Sequence, residues 1–282
     1  MLNLSEAPAP ASYPYGKPTD LQTTAVTRVI SAMHDHLCDP LSLRDMADIA
    51  HYSPYHFNRL FRKVTGIPPN HFLYALRLSR AKRLLAETDL NVTEICFEVG
   101  YNSLGSFTSR FHQLIGVSPR SYRALARKGW DDVPRDIRAL SRADGPRYTA
   151  PRGIEGTIET DSDFDGVVLV GLYHRAIPEG RPLACTVVRG TDRYALPPMP
   201  DGRYHALAIG VSWDSDAGDL LHFDGLPRGQ SGAVTVRNGA IEGRTKIALH
   251  RQDGTQPPIL SCLSALVGQR LGGFEPMAWE PA

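Results

Sequence analysis

The chain has 282 residues, of which 42% are hydrophobic and 22% charged, and a formal net charge of +1; this is a globular composition, long enough for two cores. No run of about 18 apolar residues occurs, and residues 1 to 18 lack both the basic start and the apolar stretch of a leader, so the expectation is a cytoplasmic protein without a membrane span. Cys38, Cys96, Cys185 and Cys262 lie far apart with no CxxC pair, a pattern of neither a zinc site nor a disulfide framework, and no cofactor or metal is expected.

Residues 1–20, rich in Ala, Pro and Tyr, read as a disordered tail. Val26, Val29, Ile30, Met33 and Leu37 follow the i, i+3, i+4, i+7 spacing of a helix with one buried face, stopped at Asp39 and Pro40. Ser42 can cap a short helix over Leu43, Met46 and Ala47. Ser53 followed by Pro54 is a second start signal. The helix it opens buries Phe57, Leu60, Phe61 and Val64 and leaves Tyr55, His56, Asn58, Arg59, Arg62 and Lys63 outside. A fourth helix, from about Asn70 to Glu87, buries Phe72, Leu76, Leu84 and Leu85, and Arg77, Arg80, Lys82 and Arg83 are expected on its outer face.

The pattern then recurs. Val92, Ile95, Cys96 and Val99 form a short helix, Gly100 permits a tight turn, and Ser103 opens a helix that buries Phe107, Phe111 and Leu114. Phe57, Phe61, Gly66, Pro69 and Phe72 match Phe107, Phe111, Gly116, Pro119 and Tyr122 at an offset of 50 residues. A short helix, a tight turn and a second helix with a polar outer face describe a helix-turn-helix, whose second helix enters the DNA major groove. The alternative is a helical bundle whose outer faces are only solvated. Against it stand Asn58 and Arg59, which can pair bidentately with adenine and guanine edges, and Arg62 and Lys63, which suit phosphates. Residues 20–128 hold 14 Lys and Arg against 9 Asp and Glu, a net of +5, whereas residues 129–282 hold 16 against 20, a net of −4. Only the first half therefore suits a polyanion.

Residues 22–127 resemble the DNA-binding domain of the AraC/XylS family of bacterial transcription regulators. The stretches "LSLRDMADIAHYSPYHFNRLFRKVTGIPPNHFLYALRLSRAKRLLAE" and "VTEICFEVGYNSLGSFTSRFHQLIGVSPRSYR" carry the likeness. It implies a seven-helix domain with two motifs bridged by the fourth helix, on an asymmetric site in double-stranded DNA, with RNA polymerase and a small-molecule effector as further candidate partners. It places the base-reading positions on Tyr55, Asn58 and Arg59 in the first motif and on Gly105, Ser106 and Ser109 in the second, with Arg62, Lys63 and Arg110 on the DNA backbone. Two departures matter. His51 stands where family members mostly have Gly, at a cost of about 1 kcal/mol for positive φ. The second motif has Ser109 where Arg is usual, with Arg110 about 100° further around the helix, so this helix is expected to read bases less well.

After Trp130 the chain becomes rich in Gly and Pro. Residues 129–155 are expected to be a linker and residues 156–282 a β-rich domain, from strand-like runs such as "GVVLVGLY", "ACTVVRG" and "RYHALAIGVSW" and an Asn-Gly hairpin signal at Asn238 and Gly239. The segment Tyr194 to Ile209 resembles the transthyretin-like fold of carboxypeptidase regulatory domains; a gyrase-inhibitor-like effector domain is the alternative, but its helices are missing. The fold expected is an all-α double helix-turn-helix domain at 21–128 followed by an all-β sandwich-like domain.

No nucleophile elbow, P-loop or HExxH occurs. His174, His205 and Cys185 are read as strand and surface residues rather than metal ligands. Arg175, Glu179 and Arg181, in the loop "YHRAIPEGRP", are candidate ligand contacts, with a plain solvated loop as the alternative. The functional expectation is a sequence-specific transcription regulator, not an enzyme, whose β domain senses a small molecule or binds a partner. A DNA-docking repair or modifying enzyme would need a cysteine in a demanding local setting, which none of the four has. A regulator whose β domain only stabilises or oligomerises the protein is the remaining rival.

Overall fold

The computed structural model describes residues 18–127, 153–160, 164–177, 179–189, 193–215, 218, 222–223, 225–251 and 254–261. Most of the expected tail and linker lies outside the described residues. Where they are described, both are shorter than expected: Thr19 already caps the first helix, and Ile154 and Glu155 belong to the first strand.

The helices are α1 (Asp20–Asp35), α2 (Leu43–Ala50), α3 (Pro54–Thr65), α4 (Pro69–Glu87), α5 (Val92–Glu98), α6 (Leu104–Ile115) and α7 (Pro119–Arg127). Their boundaries follow local chemistry. Capping boxes start α1 (Thr19 with Gln22), α2 (Ser42 with Asp45) and α5 (Asn91 with Glu94), each satisfying two backbone donors that a helix start otherwise leaves open. Ser53 and Ser103 cap α3 and α6, and Gly66 and Gly116 end them at φ 82° and 91°. His51 takes the left-handed position, φ 60°, that Gly100 takes at φ 77° in the second unit.

Two cores flank α4. One gathers Val26, Val29, Met33, Met46, Phe57, Phe61 and Phe72; the other gathers Leu78, Leu85, Ile95, Cys96, Phe107, Phe111 and Tyr122. In each, aromatic rings meet edge to face, Phe61 with Phe72 at 5.5 Å and Phe111 with Tyr122 at 5.8 Å. Two residues expected on the outer face of α4 are instead buried. The Arg77 guanidinium donates to the Leu37 and Asp39 carbonyls, both at 2.8 Å, and ties α4 to the end of α1. Lys82, 1% exposed, lies under the second domain, where Nζ donates to the Ile259 carbonyl at 3.2 Å. A charged group can sit there because its proton has an acceptor and the Phe223 ring faces it at 5.6 Å.

The second domain comprises β1 (Ile154–Glu159), β2 (Gly166–Tyr173), β3 (Ala184–Arg189), β4 (Arg193–Leu196), β5 (Gly202–Ser212), β6 (Arg228–Arg237), β7 (Ala240–Gly243) and β8 (Ile247–Ala248). An antiparallel sheet of order β3-β2-β5-β6-β7 faces a small sheet of order β4-β1-β8, in which β1 and β8 run parallel. Val168, Val170, Leu172, Tyr204 and Ala206 meet Ile154, Ile158, Tyr194 and Leu196 between them. This is the expected sandwich. The Asn238-Gly239 turn closes β6 onto β7 with φ 51° and 74°. The central strands β2 and β5 of the large sheet are buried on both faces. Val167, Leu169, Ile209 and Val211 point away from the sandwich and are covered by Phe223, Leu226 and Ile259, which explains the unbroken hydrophobic run of β2.

Among the described residues of the second domain, only Ile177 and Leu260 join the helical cores. Residues 20–128 are therefore expected to fold and bind DNA alone, with a lower Tm than the full chain because Ile177 and Leu260 no longer cover them. Circular dichroism melting and a gel shift check this; an unfolded fragment would refute it.

Candidate nucleic-acid interface

The first candidate surface is the outer face of α3. Phe57, Leu60, Phe61 and Thr65 point inward, so the 3.6-residue period turns Tyr55, Arg59 and Arg62 outward, with Asn58 and Lys63 half-buried beside them. Tyr55 is 75% exposed, and the Arg59 guanidinium carbon lies 5.8 Å from its ring centre. A cation–π contact in this geometry holds a flexible side chain near one orientation. On the preceding turn the rings of Tyr52 and His56 stack at 5.0 Å, a feature of this face with no signal in the sequence pattern. The face thus offers one amide and two guanidinium groups, the donor set suited to base edges and phosphates.

The second surface is the outer face of α6. Gly105, Ser106 and Ser109 are exposed together on it, as their spacing requires. Arg110 is not beside them. Its guanidinium lies over the Tyr74 ring of α4 at 4.1 Å, half-buried. Small side chains at Gly105 and Ser106 leave room for close approach of a backbone, and Leu104, 40% exposed, adds an apolar edge at the helix start. Neither α3 nor α6 contains an acidic residue, so nothing on either helix repels phosphate.

The loop that offered Arg175, Glu179 and Arg181 as ligand contacts lies against the helical domain. The Glu179 carboxylate, 6% exposed, pairs with His71 Nε2 in the first turn of α4 and lies 3.9 Å from Arg175 Nη1. Arg181 Nε donates to the Gly116 carbonyl at 3.0 Å, and the neighbouring Gly180 N–H donates to the Leu114 carbonyl at 2.6 Å. His174 stacks on Tyr204, and His205 is buried on β5, where burial and then Arg203 hold its pKa below the ordinary value. Among the described residues no group of three His, Cys, Asp or Glu side chains is placed to hold a metal ion, and no helix is long and apolar enough to cross a membrane.

A groove of about 950 Å³ opens in the second domain where β1 and β4 meet the first half of β6 and residues 244–250. Arg193, Arg228, Arg244 and Lys246 line it; Glu155 lies 3.5 Å from Arg193 and Glu159 2.5 Å from Lys246, so the excess of charge rests on Arg228 and Arg244. Gln256 and the Pro257 carbonyl hold the Arg228 guanidinium at 2.5 and 2.6 Å. A local excess of positive charge is notable in the half of the chain with net charge −4.

Comparison with known proteins bears on the helical half. A helix-turn-helix domain family model matches residues 46–125, from within α2 to within α7. An uncharacterized HTH-type transcriptional regulator of Bacillus subtilis (strain 168), YobQ, is 37% identical over 94 residues, which are 33% of this chain and 39% of YobQ, so the match spans about two fifths of that relative. Of solved structures, a transcriptional regulator from Chromobacterium violaceum described by its AraC-type DNA-binding domain has 31% identity, covers 36% of this chain and 92% of its own, and superposes with a TM-score of 0.34. The HTH-type transcriptional activator AarP of Providencia stuartii is 32% identical over 117 residues, 42% of this chain and 86% of AarP. An alignment that takes in most of a whole activator, laid on two helix-turn-helix units with the same caps, turns and aromatic anchors, makes this chain a member of the AraC/XylS family of bacterial transcription regulators.

Proposed function

We propose that one chain reads an asymmetric promoter sequence through both recognition helices, α3 specifying bases through Tyr55, Asn58 and Arg59 and α6 contributing mainly affinity. The observation that carries this is the contrast between two equivalent faces. The outer positions of α3 hold an amide and guanidinium groups, whereas those of α6 hold Gly105, Ser106 and Ser109, with Arg110 drawn back over Tyr74. Two unlike readers on one chain need no palindrome. Arg62 and Lys63 are assigned to phosphates flanking the first segment, and Arg110 to the backbone beside the second.

The test is a binding selection on randomised duplexes with the full chain. One strongly specified segment and one degenerate segment are expected, about one helical turn or roughly 10 bp apart, with one protein per site. A symmetric motif bound only by dimers would refute the reading.

The β domain is read as the sensor, with a small anion carrying phosphate or carboxylate groups as the effector class. The cationic groove supports this better than the 173–182 loop does, because Glu179 and Arg181 of that loop are engaged with α4 and α6. Inorganic pyrophosphate is expected to raise the Tm of the full chain saturably, following the linkage of binding to folding. The rise should vanish in an Arg244→Ala/Lys246→Ala variant and survive in Arg59→Ala/Lys63→Ala. The reverse pattern would place the anion on the DNA-facing surface and remove the groove from consideration.

A further inference from the structure

We infer that the loop joining β2 to β3 is a clasp that fixes the two helix-turn-helix units relative to each other, with Glu179 and Arg181 as positioning residues for the second recognition helix; this rests on the two-segment reading above. The loop touches both units. Ile177 packs against the core that holds Phe57, Phe61 and Phe72, and Glu179 pairs with His71 where α4 leaves the first unit. One and two residues further on, Gly180 N–H and Arg181 Nε reach the carbonyls of Leu114 and Gly116 at the end of α6. Helix C-termini leave their last carbonyls without intrahelical partners. Here the second domain supplies donors to one of these and to the cap beside it, so the end of α6 is held from outside the helical domain.

The grip is specific to one of two equivalent helix ends. Gly66 and Gly116 close α3 and α6 with nearly the same geometry. A Cβ added at Gly66 would meet nothing within 4 Å, whereas one at Gly116 would lie 2.9 Å from Arg181 Cγ and 3.3 Å from the Gly180 carbonyl carbon. The internal repeat makes this an internal comparison: the same cap is bare in the first unit and covered in the second. The loop is also tied down behind the contact. The Gly180 carbonyl accepts from Ser261 Oγ at 2.8 Å, and Ser261 Oγ accepts from the Tyr173 hydroxyl at 3.0 Å, at the end of β2. A buried carboxylate left without its partner is costly, so Glu179 favours the arrangement that keeps His71 and the end of α6 in place together.

The units also meet through Cys38 Sγ, which donates to the Glu98 carbonyl at 2.6 Å, and through the approach of Gly100 to the Cys38 carbonyl. The clasp is a separate tie: Ile259 with Lys82, His222 with Glu87 and Leu260 in the second core also join the β domain to the helices, and the clasp is where one loop reaches both His71 and Gly116. Recognition of two segments by one rigid body makes affinity depend on their spacing, because each inserted base pair rotates one segment by about 34° relative to the other.

The experiment uses the full chain and the duplex found by selection, together with versions carrying one or two extra base pairs between the segments and a version keeping only the first segment. For the unaltered protein, one inserted base pair should lower affinity at least about tenfold. In Glu179→Gln/Arg181→Ala, affinity for the original spacing should fall about tenfold, as expected for lost hydrogen bonds to charged groups. The penalty for insertion should shrink to about threefold or less, and binding to the first segment alone should stay unchanged. Ser261→Ala, which loosens the loop without touching either helix, should shift the spacing penalty in the same direction. A variant that keeps the full spacing penalty overturns the clasp and leaves the two-segment reading intact. Equal losses on the one-segment and two-segment duplexes in both variants also overturn it, since they report general damage. If the unaltered protein shows no spacing dependence, the two-segment reading itself fails.

Discussion

Arg59→Ala is expected to lower affinity for the specific site by about 1 to 3 kcal/mol, roughly 5- to 150-fold, and to relax selectivity at one base position. The reason is positional. Arg59 is exposed on the outer face of α3, one turn after Tyr55, whose ring lies 5.8 Å from the guanidinium and helps to orient it. An oriented guanidinium loses less side-chain entropy when it meets a guanine edge than a freely rotating one. Lys63→Ala should act differently. An ammonium contacts phosphate as a point charge, so its loss should weaken specific and random DNA alike and lower the salt slope by about one ion. Affinities on both DNA types at several salt concentrations separate these outcomes. Equal losses for Arg59→Ala on specific and random duplexes would remove it from the base-reading set.

The largest effects on stability are expected from the paired aromatic anchors. Phe61→Ala and Phe111→Ala should each cost about 3 to 5 kcal/mol, the range for truncating a buried aromatic side chain. That is a large share of the roughly 5 to 15 kcal/mol that holds a domain together. Both rings are fully buried, and each meets a neighbouring ring edge to face, so truncation removes packing on several sides. The two variants should differ in where the damage falls. Phe61 belongs to the core shared by α1 to α4, and Phe111 to the core that Leu260 of the second domain also enters. Hydrogen exchange should therefore rise mainly in α2 and α3 for Phe61→Ala and in α5 to α7 for Phe111→Ala. Uniform loss of protection in both would show that the two units unfold as one.

The helical half was legible in advance because its signals act over a few residues. Ser42, Ser53 with Pro54, and Gly66 with Pro69 each satisfy or release backbone groups within one turn. The aromatic anchors recur at helical spacing for the same local reason, and the outward positions of α3 and α6 follow from the helical period alone. The β domain was legible as strands and as the Asn238-Gly239 turn. Its sheet order was not, because β1 pairs with β4 and with β8 across stretches with no local mark of partner choice.

What only the tertiary structure decided concerns residues whose partners lie far away in the chain. The sequence by itself determined that Arg77 and Lys82 belong to α4, but not that α1 and the second domain would cover them. Arg77 meets carbonyls 38 and 40 residues away, and Lys82 one 177 residues away. The same holds for the loop at Glu179, whose charge suits a ligand as well as it suits His71, 108 residues earlier. The Arg110 guanidinium lies over the ring of Tyr74, on another helix, a partner that the helical period alone does not name. A helical period tells which side of an element a residue occupies, but solvent, DNA or another domain can lie on that side, and only the packing of the whole chain selects among them.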